Sequence, residues 1–364
     1  MQGEKGRGKE GLKPGRGKGN RKCPPPVILR IGPGQLVTGK CRPLLPSGFL
    51  FAATPLAMPR FPLASTCPLA RLLGAILLAI GSPGPGIAAG PPPVPAGPAP
   101  VVIGHAGSGF FHFFNSLPPS SLRSIERALH RGADGVEVDV RLSQDSIPVL
   151  YHDNSLATMT TGQGCVSQTP AAALTQLRYQ GGWPHDWVQH EKLQTLETVL
   201  QRLRQEPVFP YVHLDLHEDD DCNHNDEVRS RALARCLRRL LIAYQVPPQK
   251  VLILTTRAST LGYLRQLLPQ VPLGYEMNND FAADVATLQQ LPQVQVAVLH
   301  KDRITPERAA VIHGLGRQLV VFGGRSARAV GRVVASGPEA YEVDNVRQLR
   351  ATLRRQKRLP DTTP

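Results

Sequence analysis

The sequence predicts an α/β fold, a closed (β/α)₈ TIM barrel, on three observations. From residue 101 onward, short runs rich in Val, Ile and Leu alternate with helical stretches. The runs are mostly apolar, as strands covered on both faces are. About eight such units occupy residues 101–364, near the roughly 250 residues that a barrel of this kind takes. No Gly-x-Gly-x-x-Gly follows the first run, so a dinucleotide-binding open sheet gains little support.

The strands are expected at 101–105, 135–141, 148–152, 208–216, 250–255, 271–277, 294–299, 318–323 and 340–344. Helices fit between them. Leu122, Ile125 and Leu129 recur at helical spacing after Ser120 and Ser121, which suit a cap. Leu196, Val199, Leu200 and Leu203 form a second apolar stripe, with Thr195 as its cap. Leu233, Leu237, Leu240 and Leu241 form a third, on an arginine-rich helix. Five more helices are expected at 259–268, 282–291, 306–313, 326–335 and 346–356.

The first hundred residues read differently. Residues 1–57 are rich in Gly, Pro, Lys and Arg, a composition that cannot bury enough surface to fold. They are expected to be a disordered basic extension, with Met58 as the true start. From there Arg60 and Arg71 lead into an apolar run, Leu72 to Ile80, and small residues follow at Gly86, Ala88 and Ala89. That is the layout of a signal peptide over 58–89, which implies secretion or a periplasmic location. A basic tail before an uncleaved membrane anchor is the alternative. A Pro/Ala/Gly linker follows over 90–100.

The net charge of +14 is concentrated at this end. Residues 1–60 carry 12 Lys/Arg against 2 Asp/Glu and supply +10, leaving +4 for the rest. The remainder has no basic helix with interleaved aromatics, so nucleic acid is not an expected partner. Beyond residue 89 the cysteines are Cys165, Cys222 and Cys236. They allow one disulfide with a thiol left over, or none, and their spacing fits no zinc motif.

The chemistry gathers at the ends of the strands, where such barrels place their sites. His105 ends the first strand. Glu137 and Asp139 stand two apart on the second, and their side chains therefore share a face. A closed barrel offers these carboxylates no solvent, so they need a partner, and a hard cation such as Mg²⁺ or Ca²⁺ is the economical one. His152 and Asp153 follow the next run. On YVHLDL (211–216), His213 and Asp215 share a face with His217 just beyond it. Asp215 would complete a three-carboxylate metal site, and His217 can meet a phosphate or a water. His105 and His152 suit an acid–base pair. The acidic run Glu218 to Asp221 reads as a solvated loop, with a further ion ligand as the alternative.

IGHAG (103–107), GADGVEVDV (132–140), PVLYHD (148–153), KLQTLETVL (192–200), the LDLH strand and YEVDNV (341–346) together carry a likeness. On them the chain resembles the glycerophosphodiester phosphodiesterase family, as a divergent member of the phospholipase C-like phosphodiesterases. The resemblance implies a (β/α)₈ barrel that hydrolyses glycerophosphodiesters to glycerol 3-phosphate and an alcohol with a divalent cation. It implies Glu137, Asp139 and Asp215 as metal ligands and His105 and His152 as the acid–base pair. The attacking group it implies is the substrate's own glycerol hydroxyl.

The departures fall on the phosphate side. The family's His-Arg-Gly is His105-Ala106-Gly107 here, and alanine cannot clamp a phosphate as arginine does. Its Glu-x-Lys becomes Asp215-x-His217, and a tryptophan of the seventh barrel strand becomes Phe322. Pro118-Pro119-Ser120-Ser121 replaces Pro-Glu-Asn-Thr. His217 and Phe322 are the residues left to meet substrate phosphate. Phe110, Phe111, Phe113 and Phe114 are either core or an apolar entrance for a lipid chain. The expected partner is a small or lipid phosphodiester, with transient contact to a membrane surface and no protein partner. The alternatives are a phospholipase D or sphingomyelinase D-like lipid hydrolase, and a barrel that binds diesters without turnover.

Overall fold

A computed structural model of the chain describes residues 99–223 and 226–358. The extension, signal peptide and linker expected over 1–57, 58–89 and 90–100 lie outside these residues, except for the last two of the linker. Nine strands run in chain order: β1 (Val101–Gly104), β2 (Gly135–Leu142), β3 (Pro148–Leu150), β4 (Tyr211–Leu216), β5 (Val251–Thr255), β6 (Leu273–Glu276), β7 (Val296–His300), β8 (Gln318–Phe322) and β9 (Ala340–Val343). Eight of them pair in parallel, and the pairing of β1 with both β2 and β9 closes the ring.

Strand parity builds two layers. On β2, Val136, Val138 and Val140 point outward into the main core, where they meet Val212, Leu214 and Leu216 of β4. The surrounding helices cover that core with Leu196, Val199, Leu200, Leu233 and Leu237, the stripes read from helical spacing. Inside the barrel, Ile103, Leu252, Leu254, Val296, Val298 and Val320 form a separate apolar cluster. On β2 and β4 the inward positions are polar: Glu137 stands opposite His213, and Asp139 opposite Asp215.

The helix starts follow their caps. Ser121 accepts from the Ser124 N–H at Leu122–His130, and Thr195 accepts from the Thr198 N–H at Leu196–Leu203. The helices expected late in the chain are present as Ala258–Leu267, Phe281–Gln289, Pro306–Gly314, Ala327–Ala335 and Val346–Arg358. No helix among the described residues is long and apolar enough to cross a membrane.

One region departs from simple β–α alternation. β3 pairs antiparallel with β2 and is not a barrel strand. It opens an excursion that reaches to Leu193 and has its own small core of Val149, Tyr151, Leu156, Val166, Leu174, Tyr179 and Leu193. The short helices Ala171–Leu174 and His185–Val188 lie within it. They are too short to show a helical period in sequence. Cys165 in the excursion is bonded to Cys222 in the loop after β4, and Cys236 is a free thiol.

That bridge spans 57 residues. In chain-entropy terms a loop of that length is worth up to about 4 kcal/mol. The double variant Cys165→Ser/Cys222→Ser should therefore lose roughly 2–4 kcal/mol in urea unfolding and keep its far-ultraviolet spectrum. An unchanged urea midpoint would show that the bridge constrains nothing.

Candidate active site

The turn after β1 sets the floor of the site. Gly104 packs so tightly that an added Cβ would lie 2.2 Å from the Gly107 carbonyl oxygen. Ala106 takes the left-handed region (φ 44°), which costs an L-residue energy and is held here by its neighbours. Its carbonyl accepts from the Ser120 N–H and the Ser124 hydroxyl, and its own N–H donates to Glu137 Oε2 at 2.6 Å. The alanine side chain is fully buried. Position 106 thus grips a carboxylate through its backbone and presents nothing to a phosphate.

Three carboxylates converge above this floor. Glu137, Asp139 and Asp215 each offer an oxygen within 4.8 Å of the others. Glu137 and Asp139 are buried to 2% exposure. Asp139 accepts from the Ser120 hydroxyl at 2.8 Å, and its Oδ1 lies 3.1 Å from His217 Nε2. The same His217 nitrogen is 3.4 Å from Asp215. Burial, then the neighbouring Asp139, push the Glu137 carboxyl well above the usual carboxylate range. Burial also works against Asp139, but the hydrogen bond from His217 and the charges of three histidines hold it below that range.

A cation fits this set. Among the described residues Glu137 Oε1 is buried with no hydrogen-bond partner, while Oε2 is taken by Ala106. A buried carboxylate oxygen left unsatisfied is costly, and an oxygen-seeking divalent ion would satisfy it. Glu276, at the end of β6, adds a fourth carboxyl; burial and then Asp215 push it up to about 8.

The two histidines flank the carboxylates, and each is steered by an acid. His105 Nδ1 is 2.7 Å from Asp344 Oδ1, which leaves Nε2 facing Glu137 at 4.0 Å. Burial opposes charge on His105, yet the bond to Asp344 and the surrounding acids push it up to about 9. Asp344 falls in return to about 2, although burial alone would raise it. His152 Nδ1 is 2.7 Å from Asp153, and its ring lies 4.5 Å from that of His217. For His217, burial is outweighed by Asp215 and Asp139, which push it up to about 10.

The predicted site residues thus come together: His105, His152, Glu137, Asp139, Asp215 and His217. Phe322 joins them with its ring 5.7 Å from His105. His213 instead pairs with Glu342 at 2.6 Å, deeper in the barrel. The acidic run after His217 is not simply solvated, because Glu218 accepts from the hydroxyls of Thr255 and Thr260, both at 2.7 Å. The aromatic loop divides: Phe110 stands 5.5 Å from His105 and 5.3 Å from His152, while Phe113 and Phe114 project into water.

Four contributors were missed. Ser120 is not the cap; it binds Asp139, and Ser121 caps the helix. Arg141 donates to the carbonyls of His152, His217 and Asp219, joining both histidine-bearing loops. Its position two beyond Asp139 was a readable signal. Asp344 also had one, because Glu342-x-Asp344 repeats the Glu-x-Asp of β2. Glu276 had only its place at a strand's C-terminal end.

A model of the glycerophosphoryl diester phosphodiesterase family matches residues 113–348, and the chain belongs to that family. The match begins just after the His-Ala-Gly segment, where the chain departs from the family's pattern. The chain is 42% identical over 50 residues to human glycerophosphodiester phosphodiesterase 1, 14% of this chain and 15% of that protein. It is 25% identical over 164 residues to the glycerophosphodiester phosphodiesterase of Bacillus altitudinis, 44% of this chain and 62% of that protein. These stretches span less than two thirds of either relative.

Solved structures share the fold over more of the chain. An Oleispira antarctica phosphodiesterase in complex with the product sn-glycerol-3-phosphate superposes with a TM-score of 0.60 at 24% identity, covering 70% of this chain and 97% of that one. A glycerophosphodiester phosphodiesterase from Parabacteroides distasonis gives 0.59 at 20% identity, covering 71% and 99%.

The His105–Asp344 pair makes a pH prediction. The raised His105 pKa contributes stability that is complete below about 6.5 and lost as pH rises through about 9. The lowered Asp344 pKa contributes stability present above 3.8 and lost as pH falls through about 2. In Asp344→Asn, an NMR titration should find the His105 pKa lower by ~1 unit or more. No movement would remove Asp344 as the cause.

Proposed function

We propose that the protein is a metal-dependent phosphoric diester hydrolase acting on a glycerophosphodiester or a lysophospholipid-like diester. One observation carries this reading. Two histidines, each steered by its own carboxylate, flank a carboxylate cluster that contains an unsatisfied buried oxygen. Family membership supports the reaction class, and the Oleispira relative, which holds sn-glycerol-3-phosphate, supports a small phosphoester product.

Glu137, Asp139 and Asp215 would hold the cation, Mg²⁺ or Ca²⁺, which when bound supplies charge stabilisation to the phosphoryl oxygens. The chain's own residues do the rest. With Nδ1 engaged by Asp344 and Asp153, His105 and His152 use Nε2 to move protons. One takes the proton from the attacking glycerol hydroxyl while the other gives one to the leaving alcohol, which yields a cyclic phosphate. Water then opens that ring with the two roles reversed and leaves glycerol 3-phosphate. Ser120 and Ala106 keep Asp139 and Glu137 in place. His217 stands where the resemblance has a lysine and is the side chain at hand for a phosphate oxygen, with Phe322 as the apolar wall beside His105. The sphingomyelinase D-like branch normally lacks an Asp after its second histidine, so Asp153, bonded to His152 here, favours the glycerophosphodiester reading.

The Cys165–Cys222 bridge supports export to an oxidising compartment, in line with the leader read over 58–89.

Purified protein with Mg²⁺ or Ca²⁺ should hydrolyse glycerophosphocholine or lysophosphatidylcholine, stop with EDTA and recover with metal. His105→Ala and His152→Ala should each lose roughly 10²–10⁴-fold. A p-nitrophenyl diester, whose leaving group needs no proton, should rescue whichever variant has lost the acid. Turnover that survives EDTA would sink the metal site, and full activity in His105→Ala would sink the acid–base assignment.

A further inference from the structure

Beside the mouth of the barrel the protein leaves large apolar side chains in water. Phe113 and Phe114 are 81% and 82% exposed, Trp183 and Trp187 79% and 78%, and Val188 61%. These are five of the nine exposed large hydrophobics among the described residues. They sit in two short loops that touch each other. The Phe111 ring lies 5.3 Å from His185, and Gly181 packs against the same ring.

Both loops are braced. The buried amide of Asn115 donates to the carbonyls of Ser108, Gly109 and Phe110, which fixes the turn that carries Phe113 and Phe114. Asp186 accepts from the N–H groups of Gly181 and Gly182 and shapes the loop that carries both tryptophans. The backbone that presents these rings therefore has little freedom left to lose on docking.

The patch is continuous with the site. Phe110, which contacts His105 and His152, leads directly to the exposed tip at Phe113. Asp344, the partner of His105, also borders a cavity of about 420 Å³ lined by Lys301, Arg325, Arg328 and Arg332. Asp302 pairs with Lys301 and Arg332, and Asp344 with Arg325, which leaves a net charge of +2 within its lining. Exposed tryptophan and phenylalanine together with a cationic hollow, both reached from the His105–Asp344 pair, match a lipid–water interface, where rings lie among head groups and cations meet phosphates. A protein partner would account for the rings without calling for the cations.

We propose that Phe113, Phe114, Trp183 and Trp187 seat the barrel mouth on an anionic phospholipid surface. The proposal deepens the phosphodiesterase reading and rests on it for the choice of lipid as partner. It places the substrate supply at the membrane and not in bulk solution.

The chain contains two tryptophans, and both lie in the patch, so their fluorescence reports on it alone. With vesicles of phosphatidylcholine and phosphatidylglycerol, the emission of the full chain should shift to the blue and be quenched by brominated acyl chains. Phe113→Asp/Phe114→Asp keeps both reporters and should bind the vesicles at least ~10-fold more weakly. Its turnover of water-soluble glycerophosphocholine should equal that of the unaltered protein. Unshifted emission would overturn the proposal, as would equal vesicle binding by the variant. A blue shift that follows protein concentration without vesicles would overturn it too, by marking a contact between copies. Vesicle binding by the unaltered protein with no diester turnover in either protein would uphold the surface and remove the phosphodiesterase reading.

Discussion

The structure depends on holding carboxyl groups together at a largely buried end of the barrel. Glu137, Asp139, Asp215 and Glu276 project into the C-terminal end of a closed parallel ring, and parity leaves them no other direction. Four such groups repel one another and each resists burial. The surroundings answer this piece by piece: the Ala106 N–H on Glu137, the Ser120 hydroxyl on Asp139, and His217 between Asp139 and Asp215. What they leave unsatisfied, one oxygen of Glu137, is what an ion would complete.

The same constraint explains the turn after β1. A left-handed alanine is a strained choice, yet there the backbone N–H of residue 106 points at Glu137. Strain in the loop is exchanged for order at the carboxylate. With alanine at 106 and His217 set between Asp139 and Asp215, the cationic character of the site lies beside the acids and not in the loop. The electrostatic burden of the site is therefore carried close to the three carboxylates.

Much of this was legible in sequence because parity is so regular. On β2 the alternation of Glu137, Asp139 and Arg141 with three valines states which residues face inward, and the Val-Ile-Leu runs state where the strands are. His105 and His152 were legible from their strand ends. The short helices of the excursion were not, since four residues make barely one turn and leave no period. Ser120 was hidden by its neighbour, because two consecutive serines before a helix both look like caps. The pairing of Asp344 with His105 joins the two ends of the barrel, 239 residues apart, and becomes visible only once the ring is closed.

The excursion between β2 and the Leu196–Leu203 helix has a consequence for how the protein can change. It owns a core, it hangs from an antiparallel strand outside the ring, and a covalent tie secures it to the loop after β4. Apart from His152 and Asp153, which it contributes to the site, its side chains can be exchanged without disturbing the inward parity that positions the acids. The ring that carries the carboxylates and the excursion that carries one of the two histidines are thus distinct units joined at the site. Substitutions in the excursion away from that pair can reshape the approach to the site while the ring stays as it was.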